Sequence, residues 1–325
     1  MFTLVLTGCP LIPDRDDYEF DYETIVTETP VNLEGINSRQ DDYNSALPYP
    51  AASFDIYFSS NRYGSFDIIH KGMSISYHVK DDVLDVHYYN NDYDMYELYV
   101  LPVINSDSAE LGPFSFWGPG EYEYFFYADN QGGDFDIRFA WFLKSDFGSR
   151  MTTELVKGPE DLAVVNSDMD DLYPTITEDQ SQLLFCSNRE NDLFNIYSIQ
   201  LSNDTGLHGF FTGTEPGDPV LNTVLSSGYN DKCPCIYNDL LVFTSDREGG
   251  YGGFDLYFSL LVNGQWTAPV NFGPGINTEY DEYRPITFPF DSFKHLMIFS
   301  SDRPGGLGGF DLYMVKADGV IDESL

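Results

Sequence analysis

The chain has 325 residues, enough for one large domain with a substantial core, and its aromatic share of 16%, with 26 Phe and 24 Tyr, suits the half-buried surface of a sheet. Acidic residues outnumber basic ones 53 to 16, a formal net charge of −37 at pH 7, and a field of that sign repels phosphate backbones and excludes nucleic acid as a partner. No apolar run reaches the roughly 18 residues that a membrane-crossing helix needs.

The first nine residues form a short apolar stretch ending in Leu6-Thr7-Gly8-Cys9. This resembles the lipobox of bacterial lipoproteins, which implies lipid attachment at Cys9 and residues 1–9 as a signal remnant. Residues 10–22 are rich in Asp, Glu and Pro without an apolar period and read as an acidic linker. From residue 23 to 318 two patterns alternate, and 319–325 is left as a tail.

The first pattern is an Asn, an acid five residues later and a Pro three beyond that: Asn105, Glu110 and Pro113; Asn166, Asp171 and Pro174; Asn277, Glu282 and Pro285. Asn37 and Asp42 are followed by Ser45 in the Pro place, and Ser226 stands for Asn before Asp231 and Pro234. The second pattern is an apolar run ending in a Ser-Asp-Arg or Ser-Asn-Arg turn, a loop rich in glycine in the later copies, and then Phe-Asp or Phe-Asn. Its arginines are Arg62, Arg189, Arg247 and Arg303, and its Phe markers are Phe66, Phe135, Phe194, Phe254 and Phe310. The second copy departs most, with Asn130-Gln131 where the Asp-Arg pair belongs. Strand-like units recurring at this spacing predict an array of identical supersecondary units.

Each unit reads as a short innermost strand after the Pro, a strand leading into the Arg turn, a strand opening at Phe-Asp, and an outer strand. The segment Thr24 to Thr29, with Pro30-Val31-Asn32 and Gly35-Ile36-Asn37, reproduces residues 264 to 277, yet no unit precedes it, and too little follows Tyr313 for an outer strand. The expectation is an all-β, five-bladed β-propeller of four-stranded blades, its ring closed by an N-terminal strand near Thr24 to Thr29 that completes the last blade. Surplus residues between Ile69 and Tyr99, including Val83 to Tyr89 and the turn-like Asn90-Asn91-Asp92, predict an extra hairpin on blade one.

The stretch from Phe243 through Asp246-Arg247 and Gly249 to Gly253 into Phe254-Asp255-Leu256-Tyr257 resembles the PD40 repeat, the WD40-like unit of TolB-type β-propellers. That resemblance implies a cell-envelope location and binding of a protein or ligand without catalysis. Together with the lipobox it resembles envelope proteins of Bacteroidota, which implies an outer-membrane lipoprotein held to the membrane by its lipid alone.

Arg62, Arg189, Arg247 and Arg303, with Asp67, Asp136, Asp255 and Asp311, recur blade after blade, whereas a function exercised at one place need not be repeated. They read as structural, the guanidinium closing a turn against a carboxylate or carbonyls. Asp42, Glu110, Asp171, Asp231 and Glu282 read likewise as acceptors of loop backbone donors. Doubled acids at Asp41-Asp42, Asp170-Asp171 and Asp281-Glu282 make calcium the candidate cation, although EF-hand spacing is lacking. No cofactor is expected, and His70, His78, His87, His208 and His295 show no metal spacing. Cys186, Cys233 and Cys235 read as buried thiols or as one disulfide partner set.

What does not repeat is where a site should lie. Trp117, Tyr88, Tyr89 and Tyr122 are the aromatic residues taken as ligand contacts, since exposed aromatics favour binding surfaces. The resulting expectation is a non-catalytic module holding an envelope protein or glycan. The alternative is a glycan-active lyase or hydrolase using carboxylates on a propeller face.

Overall fold

The computed structural model describes residues 22–47, 54–89, 95–118, 122–143, 152–201, 206–214 and 217–322. Two short strands come first, β1 (Tyr22–Val26) and β2 (Val31–Asn32). Blade one holds β3 (Asp42–Ala46), β4 (Phe54–Ser60), β5 (Asp67–His78) and β6 (Val83–Tyr89). Blade two holds β7 (Glu110–Trp117), β8 (Tyr122–Asp129), β9 (Asp136–Leu143) and β10 (Lys157–Asp161). Blade three follows with β11 (Asp171–Ile176), β12 (Gln182–Ser187), β13 (Asn195–Gln200) and β14 (Val220–Leu221). Blade four contains β15 (Asp231–Tyr237), β16 (Leu240–Ser245), β17 (Asp255–Val262), β18 (Gln265–Trp266) and β19 (Val270–Asn271), and blade five β20 (Glu282–Phe290), β21 (Phe293–Ser301) and β22 (Asp311–Lys316). Every pairing is antiparallel, and the innermost strands β3, β7, β11, β15 and β20 meet in a ring.

The near-continuous apolar runs of the middle strands follow from this stacking. A strand such as β16, buried along its whole length, presents Leu241 and Phe243 to blade three and Leu240 and Val242 to blade five. One apolar cluster lies between each pair of adjacent blades, and a sixth, with Leu111, Leu172, Tyr173 and Cys233, lies on the axis.

The ring closes at its amino end, through a different strand from the one expected. Val31 and Asn32 of β2 pair with Met314 and Tyr313 of β22, completing blade five. Most of the Thr24 to Thr29 segment turns the other way: β1 pairs with β6 as a fifth strand of blade one, while the Thr27 carbonyl accepts from Lys316 N of blade five at 2.9 Å and Glu28 lies 3.9 Å from the Lys316 ammonium. The inserted β6 creates the edge that draws β1 away. Residues 22 to 32 therefore bridge the seam on both sides. The expected turn at Asn90-Asn91-Asp92 lies outside the described residues, as do Cys9 and residues 10–21. After β22 the chain does not trail off at once, because Asp318–Asp322 is a short helix that buries Ile321 between blades four and five.

Innermost strands begin at the acid rather than after the proline. Each carries a bulge around its third residue, which is left-handed: Asn44 (φ 60°), Gly112 (62°), Tyr173 (57°), Cys233 (56°) and Arg284 (48°). The bulge releases the ladder at the following residue, a place where Pro needs no N–H partner. It also turns the third residue toward the axis, where Tyr173 and Cys233 share one cluster and the Arg284 guanidinium lies 5.1 Å from the Tyr173 ring.

The repeated polar residues join blades to one another. Asn277 donates to the Leu256 carbonyl at 3.0 Å and accepts from Leu256 N at 2.8 Å; Asn37, Asn105 and Asn166 grip Leu312, Ile68 and Ile137 in the same way. Ser226 does so with one hydroxyl on Ile196. Each acid's backbone N–H donates to the preceding blade's Phe carbonyl at 2.7 Å. Gly252 and Gly308 run against neighbouring backbone, where a Cβ would stand 2.1 Å from the Tyr280 carbonyl or 2.0 Å from that of Gln40.

Candidate active site

In four blades the first residue of the innermost strand is a fully buried acid held by the arginine of its own blade. Arg303 donates to Glu282 Oε1 at 2.9 Å, to Ser301 Oγ at 3.0 Å and to the Ile276 carbonyl at 2.8 Å, and its guanidinium covers the Phe299 and Tyr313 rings. Arg62 and Arg189 reach Asp42 and Asp171 at 2.6 Å, and Arg247 reaches Asp231. Asp255 and Asp311 have a different task, accepting from the backbone of the glycine loops at Tyr251 and Gly252 and at Leu307 and Gly308. The doubled acids are held by protein donors: Asp41, Asp170 and Asp281 accept from the N–H of Phe310, Phe135 and Phe254.

Blade two keeps the acid and lacks the arginine. Gln131 stands in its place, and Asp129 replaces the serine found at Ser60, Ser187, Ser245 and Ser301. Glu110, with no exposed surface, accepts from Ser106 Oγ at 2.6 Å through Oε1, while its Oε2 is buried with no hydrogen-bond partner. Register places Glu110 opposite Asp129 and Asp129 opposite Asp136, so three carboxyl groups form a row across β7, β8 and β9 at one end of the blade. Arg138 on β9 compensates only part of this charge, contacting Asp129 and Asp161 at 3.0 Å each.

The environments of the row differ. Burial, reinforced by Asp67 and Asp129 and opposed by the Ser106 hydrogen bonds, pushes the Glu110 carboxyl up to about 7. Burial with Asp134, Asp161, Asp171 and Asp129 nearby pushes Asp136 up to about 6. Burial also raises Asp67. A carboxyl kept protonated beside a carboxylate held by arginine is the arrangement that divides acid and base roles between like residues. Neighbouring strands lie about 4.8 Å apart, so adjacent members of the row are about one strand spacing apart and Glu110 and Asp136 about two.

The row stands at the rim of the axis. The Glu110 N–H donates to the Phe66 carbonyl, and Phe66 and Phe135 pack on the axial cluster with Tyr43, Phe194 and Tyr283. Lys232 Nζ lies 4.0 Å from the Phe194 ring centre, and Tyr283 touches the Phe254 and Phe310 rings at 5.3 and 6.3 Å. The Phe markers thus line the channel.

The four expected aromatic contacts do not converge. Tyr88 is 3% exposed and packs in the core between blades five and one. Tyr89 covers Gly72, in mid-strand. Trp117 and Tyr122 flank the β7–β8 connection, at the far end of the strand that starts with Glu110, and Tyr122 stacks on His208 at 6.1 Å. Of the histidines, His78 and His87 lie 2.8 Å from Asp85 and His70 3.5 Å from Asp55, all on blade one. Among the described residues no group of three or more side chains is arranged to hold a metal. Cys186, Cys233 and Cys235 are free thiols, and burial pushes Cys186 up to about 12.

No family model and no curated protein matches the chain. Solved structures do. An endo-arabinase from Bacteroides thetaiotaomicron is 16% identical, with a TM-score of 0.52 over 90% of this chain and 96% of its own. The catalytic domain of a GH62 α-L-arabinofuranosidase from Coprinopsis cinerea is 12% identical, TM-score 0.51, over 89% and 96%. A thermostable family-43 glycoside hydrolase is 12% identical, TM-score 0.52, over 88% and 91%. These likenesses show the fold, a five-bladed propeller. They correct the resemblance to PD40 and TolB-type repeats: the neighbours are glycoside hydrolases. The expectation of a non-catalytic module, which rested on that resemblance and on the non-repeating aromatics, is corrected with it, since the neighbours matching nine-tenths of the chain are glycoside hydrolases.

Proposed function

We propose that the chain is a glycan-active hydrolase working from the blade-two carboxyl row. The observation that carries this reading is that blade two alone keeps the buried acid while losing its arginine, which leaves Glu110 able to hold a proton near neutral pH. Asp136, the half-buried member of the row, whose carboxyl burial pushes up to about 6, serves as general acid toward the leaving oxygen, Asp129 as the second carboxylate, acting as nucleophile or as base toward water, and Glu110, with no exposed surface, as a positioning residue behind them. The aromatic channel rim offers faces for sugar rings. The arabinan-active enzymes among the structural neighbours support an arabinose-containing polysaccharide as the first substrate to try.

The test is a turnover screen on arabinan, arabinoxylan and galactan with wild type, Glu110→Gln, Asp129→Asn and Asp136→Asn. Expected is hydrolysis by wild type, lost about 10²- to 10⁴-fold in Asp136→Asn, with a rate that declines as pH rises past about 6. Turnover unchanged in all three variants would overturn the assignment. For the address we propose a lipid anchor at Cys9 on a bacterial envelope membrane, tested by whether Cys9→Ser releases the protein into the soluble fraction.

A further inference from the structure

Arg284 differs from every other repeat arginine. Arg62, Arg189, Arg247 and Arg303 each hold a carboxylate at a turn, whereas Arg284 occupies the left-handed bulge of β20 and is 1% exposed. Its side chain starts in blade five and ends on blade two, which is not its neighbour in the ring, where Nη2 donates to the Pro113 carbonyl at 3.2 Å. On the way it lies over Tyr173 of blade three. It therefore crosses the channel axis. Nε and Nη1 are buried with no hydrogen-bond partner, and among the described residues no carboxylate forms an ion pair with it. Beside it, burial pushes the Tyr173 hydroxyl and the Cys186 and Cys233 thiols up, and Lys232, which acts on the same thiols, adds positive rather than negative charge.

A guanidinium cannot shed its proton to escape burial, and an uncompensated buried charge is among the costliest features a core can carry. Water completes hydrogen bonds without cancelling charge. Full burial rules out any anion with a tail leading to solvent. We propose that the channel axis holds a small inorganic anion of halide size, bound by Nε and Nη1 of Arg284. Asn44, the equivalent bulge residue of blade one, is fully buried, and among the described residues its side-chain amide has no hydrogen-bond partner. The anion locks blades one, two, three and five around one charge, a role independent of the carboxyl row at the rim.

Two measurements on the full chain test this. At constant ionic strength, exchanging gluconate for chloride or bromide should raise the Tm of wild type by roughly 1 to 3 °C per tenfold halide above the dissociation constant. The Arg284→Met variant should show no such dependence. Crystals of wild type grown in bromide should give an anomalous peak within hydrogen-bonding reach of Arg284, and this reading stands even where the variant fails to fold. Equal halide dependence in wild type and variant, or water alone in the bromide map, would refute the proposal.

Discussion

Arg303 holds Glu282, Ser301 and the Ile276 carbonyl at once, and Glu282 has no exposed surface. Arg303→Ala leaves that acid buried and unpaired and should cost about 3 kcal/mol, measured by denaturant unfolding, without altering the turnover of the folded fraction. A variant of normal stability and lost activity would contradict the structural role. Glu110 has no arginine, and burial raises its carboxyl, as burial raises Glu282 against the opposing pull of Arg303. Its folded pKa, about 7, lies above the unfolded value of about 4.3. The protonated form therefore stabilises the fold below about pH 4.3, and that contribution is lost as pH rises through about 7. Glu110→Gln should match wild type in Tm near pH 4 and exceed it by several degrees at pH 8. Equal melting at both pH values would show that burial does not shift this carboxyl. The signal for Glu110 was present in Asn130-Gln131 and in Asp129, where the turn motif breaks. What the linear order could not supply was the partner of each arginine, because Arg62 and Asp42 meet only through the pairing of β3 with β4.

At the level of elements, the bulged inner strand is the part that the local pattern misstates. A proline three residues after an acid suggests that the strand starts beyond it, yet the strand starts at the acid and accommodates Pro by a bulge. Gly112 sits at that bulge with φ 62°, and a Cβ there would lie 2.4 Å from the Tyr173 ring. Gly112→Ala should lower stability by about 1 to 3 kcal/mol, and the thermal midpoint of the purified variant checks it. β2 is the second such element. It has only two residues, but it covers the edge of β22, so a chain beginning at Glu34 should expose that edge and associate in sizing experiments. A monomer of unchanged Tm would show that closure resides elsewhere.

For the whole molecule, 53 acids against 16 bases place strong self-repulsion on a ring whose buried arginine pairs each lie within one blade. Raising salt from about 0.01 to 0.15 M shortens the Debye length from about 30 to 8 Å and should raise Tm, since surface repulsion is screened more than the buried arginine pairs are. A falling Tm would mean that exposed attractions dominate. The number of blades and the all-β class were determined by the chain alone, because each blade carries its own Asn (Ser226 in blade four), acid, Phe and turn at short separation, and local spacing survives without knowledge of the fold. The seam was half legible: Val31-Asn32 copies Val270-Asn271 and takes the equivalent place, but the destination of β1 depended on the edge offered by β6. Only the tertiary structure decided that Glu110, Asp129 and Asp136 form one row and that Arg284 crosses the axis unpaired. Those are contacts between strands and between blades, set by register and ring geometry, to which the spacing of residues along the chain carries no direct reference.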